Sequence, residues 1–198
     1  IMEDCGEYLE FKVASLIDGL NDWVVHATGK VELMVDTKAG FVFVDDIIRQ
    51  SQKQPLPHYE YKEGEAVEMS ERWNCVRDTY QKDNTILAEI EMKDEYREEL
   101  KVYTAHPSLM DEAINIPLRT IGEGLYLPFT YKKLYIYRPL QAKMYSYVTL
   151  SNLNQKTKEI ASFDVVLTDR KGNVLVRAED YSVKKVDLSK FNQEENKK

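Results

Sequence analysis

Apolar and polar residues alternate with a period of two in two early stretches, 8–16 and 23–33, with Asp18-Gly19 between them. That period sends successive side chains to opposite faces of a strand, so the segment predicts an antiparallel hairpin. A lone hairpin is marginal in water and calls for a larger sheet. A second rhythm begins past Ser70. Residues 73–80 and 86–92 are strand candidates around a turn at Lys82-Asp83-Asn84. Four long candidates follow at 126–137, 141–150, 159–168 and 174–186. They are rich in Tyr, Val and Phe, which suit a pleated, half-buried surface. Asp169-Arg170-Lys171-Gly172-Asn173 has hairpin-turn composition.

The polar stretches between these rhythms read as connections. Residues 36–69 look like a linker in which Asp45 and Asp46 open a short helix to Gln50, before Pro55 and Pro57 break regular structure. Residues 93–101 predict a short exposed helix, and 187–198 a polar tail or linker.

One stretch, His106-Pro107-Ser108-Leu109-Met110-Asp111-Glu112-Ala113-Ile114-Asn115, has neither character. Pro107 suits the first position of a helix, which should stop near Ile116-Pro117 because the residue before a proline disfavours helical backbone. Leu109, Met110, Ala113 and Ile114 make it mainly apolar, hence buried on most sides. One apolar helix among antiparallel strands predicts an α+β fold, a curved sheet wrapped around a central helix. Asp111 is expected in the helix's first turn, and Asn115, four residues on, shares its face. A carboxylic acid in apolar surroundings can keep its proton near neutral pH and donate it. An Asp favoured only by the helix dipole fits the same position, and the local pattern leaves both readings open. His106 is expected to cap or position this helix.

Charge narrows the partners. The 198 residues carry 27 Lys and Arg against 34 Asp and Glu, a net charge of −7. No basic stripe marks a nucleic-acid face, and the scattered cations give no steering toward nucleic acid or an anionic membrane. A local basic patch could still receive an anionic carrier. Cys5 and Cys75 lack C-x-x-C spacing, so neither a disulfide framework nor a metal site is expected. Both are expected to be ordinary buried or semi-buried thiols in a reducing cytosol. No apolar run approaches the ~20 residues of a membrane span, and the first residues do not form a signal peptide. The expected location is cytoplasmic.

Residues 103–115 resemble the H-P-x-L-x-D-x-x-x-[QH] motif of dehydratase domains in modular type I polyketide synthases. Leu127-Pro128-Phe129 resembles the family's "LPF" strand, residues 161–175 its final hairpin, and residues 23–31 the closing strand of its first half. Residues 72–116 are most similar to domains of the trans-acyltransferase type. The resemblance implies a double hot-dog fold, two copies of a sheet wrapped around a helix. Here 1–35 would be the terminal hairpin of an N-terminal hot dog, 36–69 the linker and 70–186 the C-terminal hot dog, with 187–198 as tail. It implies loss of water from a 3-hydroxyacyl thioester on the phosphopantetheine arm of an acyl carrier protein, giving a 2-enoyl thioester. Asp111 would be the acid or hydroxyl-orienting group, with Asn115 and His106 orienting the substrate or the helix. No cofactor is bound directly and no metal is needed. The implied partners are the carrier protein and neighbouring synthase domains, in a homodimer.

The chain also departs from that family. H-x-x-x-G-x-x-x-x-P, which supplies the family's histidine base, occurs nowhere, and His26, His58 and His106 lie in other contexts. The base is therefore expected outside this chain. The family's G-Y-x-Y-G-P-x-F motif aligns with residues 66–73, where the tyrosine is replaced by an apolar residue and only the final aromatic, Trp73, is kept in kind. Trp73 is expected to be a core or tunnel-wall aromatic. Asn115 stands where the family has Gln or His, one methylene shorter than Gln. These departures keep three alternatives open: a non-catalytic scaffold in a megasynthase, a double-bond-shifting enoyl isomerase, and a hot-dog thioesterase.

Overall fold

In a computed structural model of the chain, residues 1–17, 19, 22–33, 38–55, 70–119, 124–150 and 159–186 are described. They fall into two compact units, Ile1–Lys38 and Ala39–Lys198. The first is the predicted hairpin, β2 (Leu9–Ile17) on β3 (Asp22–Val31), extended by the short β1 (Met2–Asp4) along the other edge of β2. Gly29 lies under the Phe11 ring, where a Cβ would come within 2.6 Å of it. His26 sits on β3 with its Nε2 2.6 Å from Ser15 Oγ on the neighbouring strand.

In the second unit, α1 (Val44–Gln50) forms where the acidic pair predicts it, followed by β4 (Gln52–Gln54). The remaining elements are β5 (Val76–Lys82), β6 (Thr85–Glu91), α2 (Pro107–Ile114), β7 (Leu125–Thr130), β8 (Lys133–Ile136), β9 (Lys143–Leu150), β10 (Ile160–Asp169) and β11 (Val174–Val186). The antiparallel sheet runs β4-β5-β6-β9-β10-β11-β7, with β8 also on β11. Val44, Ile47 and Ile48 pack with Leu87 and Tyr145 in a small cluster of their own. The polar segment 93–101 forms a 3-10 helix, Asp94–Lys101, whose Tyr96 and Leu100 rest on the core. Residues 187–198 and His58 lie outside the described residues.

The hairpin turn between β10 and β11 follows its composition. Asp169 accepts from the Lys171 and Asn173 backbone N–H groups and from Asn173 Nδ2. Gly172 takes φ +92°, where a Cβ would strike the Val42 carbonyl oxygen.

The stretch 126–137, expected as one strand, is two. Both β7 and β8 pair with β11, at Ser182–Val186 and Val176–Glu179 respectively. Between them β11 carries a bulge: Phe163 of β10 faces Tyr181, but Val165 faces Ala178. The extra residue interrupts the ladder on both sides of β11, as bulges do, and Tyr131 leaves the ladder to stack on Tyr181.

Helix α2 is the hub of the core. Leu109, Ala113 and Ile114 are buried with Ile90, Met144, Val148, Val165, Leu167 and Val183 from the sheet. Ser146 Oγ donates to the Ala113 carbonyl at 2.6 Å, satisfying one of the carbonyls a helix end leaves open. The N-terminus is tied by side chains. His106 occupies the N-cap position without a side-chain cap bond. Its buried ring instead meets Glu99 Oε2 at 2.8 Å and Ser108 Oγ at 3.1 Å. Glu99 also accepts from Arg72 at 2.8 Å. The His106 and Arg72 bonds hold the Glu99 carboxyl below its ordinary value.

Two measurements check this anchoring. Leu109→Ala should lower the free energy of unfolding by about 2–5 kcal/mol in a denaturant titration, since it opens a cavity under the helix. The depressed Glu99 pKa means that its contribution is present above the ordinary value of 4.5 and is lost as pH falls through the lower folded value. Glu99→Gln should therefore lower the melting temperature at neutral pH, and the gap from wild type should close on acidification below that value.

Candidate active site

The chain is expected to present Asp111 and Asn115 on one face of its central helix, and it does. Asn115 is the C-cap of α2, with its backbone N–H on the Asp111 carbonyl at 3.1 Å. Its side-chain Nδ2 donates to Asp111 Oδ1 at 2.7 Å. Asp111 is five residues into α2, past the first turn where it was expected. The dipole of a helix acts within its first turn, so that explanation of Asp111 loses its ground. Both residues are half-buried. Of the apolar neighbours in sequence, Leu109, Ala113 and Ile114 turn into the core.

The other donor to Asp111 comes from Trp73, whose Nε1–H reaches Oδ2 at 2.8 Å. Trp73 lies outside the expected strand. It ends a 3-10 turn, Glu71–Trp73, closed by its own N–H on the Ser70 carbonyl, and β5 starts three residues later. Its neighbour Arg72 is fixed on Glu99, the carboxylate that also holds His106. One ionic anchor thus locates both the indole and the start of the helix bearing Asp111. Residues 66–69, the start of the segment aligned with the eroded tyrosine motif, lie outside the described residues.

A fourth side chain completes the cluster. The Tyr181 hydroxyl on β11 donates to Asn115 Oδ1 at 2.6 Å. Tyr181 is fully buried and stacks on Tyr131, ring centroids 4.7 Å apart. Burial, with smaller contributions from Tyr131 and Asp111, pushes its phenol well above the ordinary value, so it remains an O–H donor. Among the described residues, each oxygen of Asp111 thus receives one N–H, and a carboxylate oxygen has a second lone pair besides. A carboxyl held in one plane with open lone pairs can receive a substrate hydroxyl and exchange a proton with it.

His106 does not join this cluster, since its ring turns toward Glu99 and Ser108. Next to Asp111, Glu112 is buried and paired with Arg119 at 2.5 Å. Burial pushes its carboxyl up while Arg119 pulls it down. Burial, and then Glu112, push the buried Cys75 thiol up to about 12, leaving it a poor nucleophile. Cys5 is exposed, not the buried or semi-buried thiol expected, because the short β1 before it leaves it at the surface of the small sheet. Among the described residues, no His, Cys, Asp and Glu group could hold a metal ion, and no helix is long and apolar enough to cross a membrane.

Comparison with known proteins supplies the context for this cluster. Residues 58–190 match the family model described as polyketide synthase dehydratase N-terminal domain. Polyketide synthase PksM of Bacillus subtilis (strain 168) is 25% identical over 131 residues, 62% of this chain, and PksN of the same organism is 28% identical over 110 residues, 54% of it. The chain spans only 3% and 2% of the lengths of these two relatives. Among solved structures, a trans-AT PKS dehydratase domain from Brevibacillus brevis superposes with a TM-score of 0.80 at 18% identity, covering 94% of this chain and 68% of its own. The dehydratase domain from the CurF module of curacin polyketide synthase gives 0.77 at 21% identity, covering 93% and 66%. These likenesses show the fold, an α+β double hot dog, as the resemblance implied. Matched by its family model over well more than half its length and folded like solved dehydratase domains, the chain belongs to the polyketide synthase dehydratase family.

Proposed function

We propose that this chain carries the acid half of a dehydration site. The reaction removes water from a 3-hydroxyacyl thioester on the phosphopantetheine arm of an acyl carrier protein and leaves a 2-enoyl thioester. The observation that carries this reading is the Asp111 carboxyl held between two N–H donors, Trp73 Nε1 and Asn115 Nδ2, in a chain of the dehydratase family.

The chemistry needs such a group. A proton beside a thioester is weakly acidic and hydroxide is a poor leaving group, so a base and an acid must act together on a positioned substrate. A histidine outside this chain takes the proton from C2. The electrons of that bond form the C2=C3 double bond as the C3–O bond breaks, and the departing hydroxyl takes the Asp111 proton to leave as water. Trp73 and Asn115 fix the carboxyl plane, so the hydroxyl meets a free lone pair or the acidic proton. His106 acts at a distance, by holding the start of α2 through Glu99.

The same reading assigns the wider organisation. Residues 1–35 end an N-terminal hot dog, 36–69 link it to the C-terminal hot dog of 70–186, and 187–198 are a polar tail or linker. The protein works in the cytoplasm as a homodimer of the trans-acyltransferase type beside other synthase domains, with no cofactor of its own.

In the full-length protein, Asp111→Asn should slow dehydration of a 3-hydroxyacyl carrier thioester by about 10²–10⁴-fold, the usual contribution of a positioned acid or base. Mass spectrometry of the carrier-bound product reads this, and an unchanged rate would remove Asp111 from the chemistry. Trp73→Phe keeps an aromatic ring, smaller than the indole, but loses the N–H, and should lower kcat about 10–100-fold, as expected for one hydrogen bond to a charged group. Steady-state kinetics with a melting curve separates that loss from unfolding.

A further inference from the structure

We propose that Tyr181 is a positioning residue for the Asp111 carboxyl, acting through the orientation of the Asn115 amide; this rests on the dehydratase reading of the site. An asparagine amide has a donor end and an acceptor end, and its partners decide which way it faces. The Tyr181 O–H donates to Asn115 Oδ1 at 2.6 Å, which leaves Asn115 Nδ2 facing Asp111 Oδ1 at 2.7 Å.

Asp111 fixes that orientation only in one of its states. An ionised carboxylate accepts only, so it requires the NH2 end of Asn115. Once protonated, the carboxyl can also donate, and an Asn115 turned end for end would then bond to it equally well. An acid that loses and regains a proton in each turnover would therefore lose its alignment without a second, unchanging partner. Tyr181 is a second partner that does not change with the Asp111 proton: its O–H donates to Asn115 Oδ1 at 2.6 Å, and burial, then Tyr131 and Asp111, keep that proton on the phenol.

The backbone is built to place that hydroxyl. Along β11, Val176, Ala178, Tyr181 and Val183 all join the core around α2, although a regular strand would put Asp180 there in place of Tyr181. The spacing of three between Ala178 and Tyr181 comes from the bulge opposite Asp164. Asp180, the inserted residue, adopts φ +47°, a conformation uncommon for a residue with a side chain. Its N–H is held by Asp164 Oδ1 at 2.9 Å. Phe163 and the stacked Tyr131 ring flank Tyr181. A strained residue, an acceptor aimed at it and a break in two neighbouring ladders all serve to turn one tyrosine inward.

The test is a double-mutant cycle in the full-length protein, Tyr181→Phe and Asn115→Ala alone and together, with kcat and KM for dehydration of a 3-hydroxyacyl carrier thioester. Tyr181→Phe retains the ring and its stack on Tyr131. It should lower kcat about tenfold with KM little changed, as loss of one buried hydrogen bond implies. In the Asn115→Ala background the same change should cost less than about twofold, because the group it acts through is gone. Losses that multiply in the double variant, or an unchanged kcat in Tyr181→Phe, would overturn the proposal. NMR of the 198-residue chain gives a readout independent of turnover. The Asn115 side-chain amide signals should shift and exchange faster with water in Tyr181→Phe, while most backbone signals stay in place. If wild type proves inactive as a dehydratase, the functional reading falls with it, whereas unmoved Asn115 signals would refute the geometric role of Tyr181 whatever the activity.

Discussion

Helix formation needs a costly nucleus, and α2 has only eight residues, far too few to hold in water alone. Its existence depends on burial of Leu109, Ala113 and Ile114 against the sheet, on Ser146 at its C-terminal end, and on His106 at its N-terminal end. Everything at the site inherits its position from that burial. Asp111 and Asn115 lie on the helix itself, Trp73 reaches it from the turn before β5, and Tyr181 reaches it from β11. The sheet does not simply cover a helix. It brings three polar side chains from three parts of the chain together around one carboxyl.

This arrangement satisfies a strict condition. Polar groups moved out of water cost free energy unless they find partners, and a partly satisfied network is worse than an apolar one. Here the hydroxyl, the amide, the indole and the carboxyl each have a partner, and the donors point in one direction, from β11 and from Trp73 toward Asp111. The Arg72–Glu99–His106 anchor lies behind this row and holds two of its members in register. Among the described residues, the remaining lone pairs of that carboxyl are the open end of the network.

Much of the architecture was legible in the local pattern. Period-two alternation located β2 and β3, a second rhythm β5 and β6, and aromatic and β-branched composition β9, β10 and β11, each to within a few residues, and the acidic pair located α1. Pro107 opens the helix, and Pro117 falls within the 3-10 turn, Ile116–Arg119, that follows its end. The pairing of Asp111 with Asn115 followed from their spacing alone. Less legible were the features that depend on breaks in the pattern. The stretch 126–137 alternates well enough to pass for one strand, because the bulge that splits it lies in a different strand. That bulge did leave a trace, the pair Glu179-Asp180 between Ala178 and Tyr181, where the inward phase slips by one residue.

The sequence by itself determined the α+β layout, the single apolar helix and the carboxyl–amide pair on its face, because these rest on interactions between residues a few positions apart. Only the tertiary structure decided what that pair touches. Trp73 and Tyr181 are 38 and 66 residues from their partners along the chain, and a residue's local pattern says which face it occupies but not what meets it there. For the same reason the sequence did not show that His106 meets Glu99, or that Trp73, expected as a core or tunnel-wall aromatic, is a direct partner of the acid. Asp111 is set in place by its own helix, but it is aligned by side chains that reach it only when the sheet has closed.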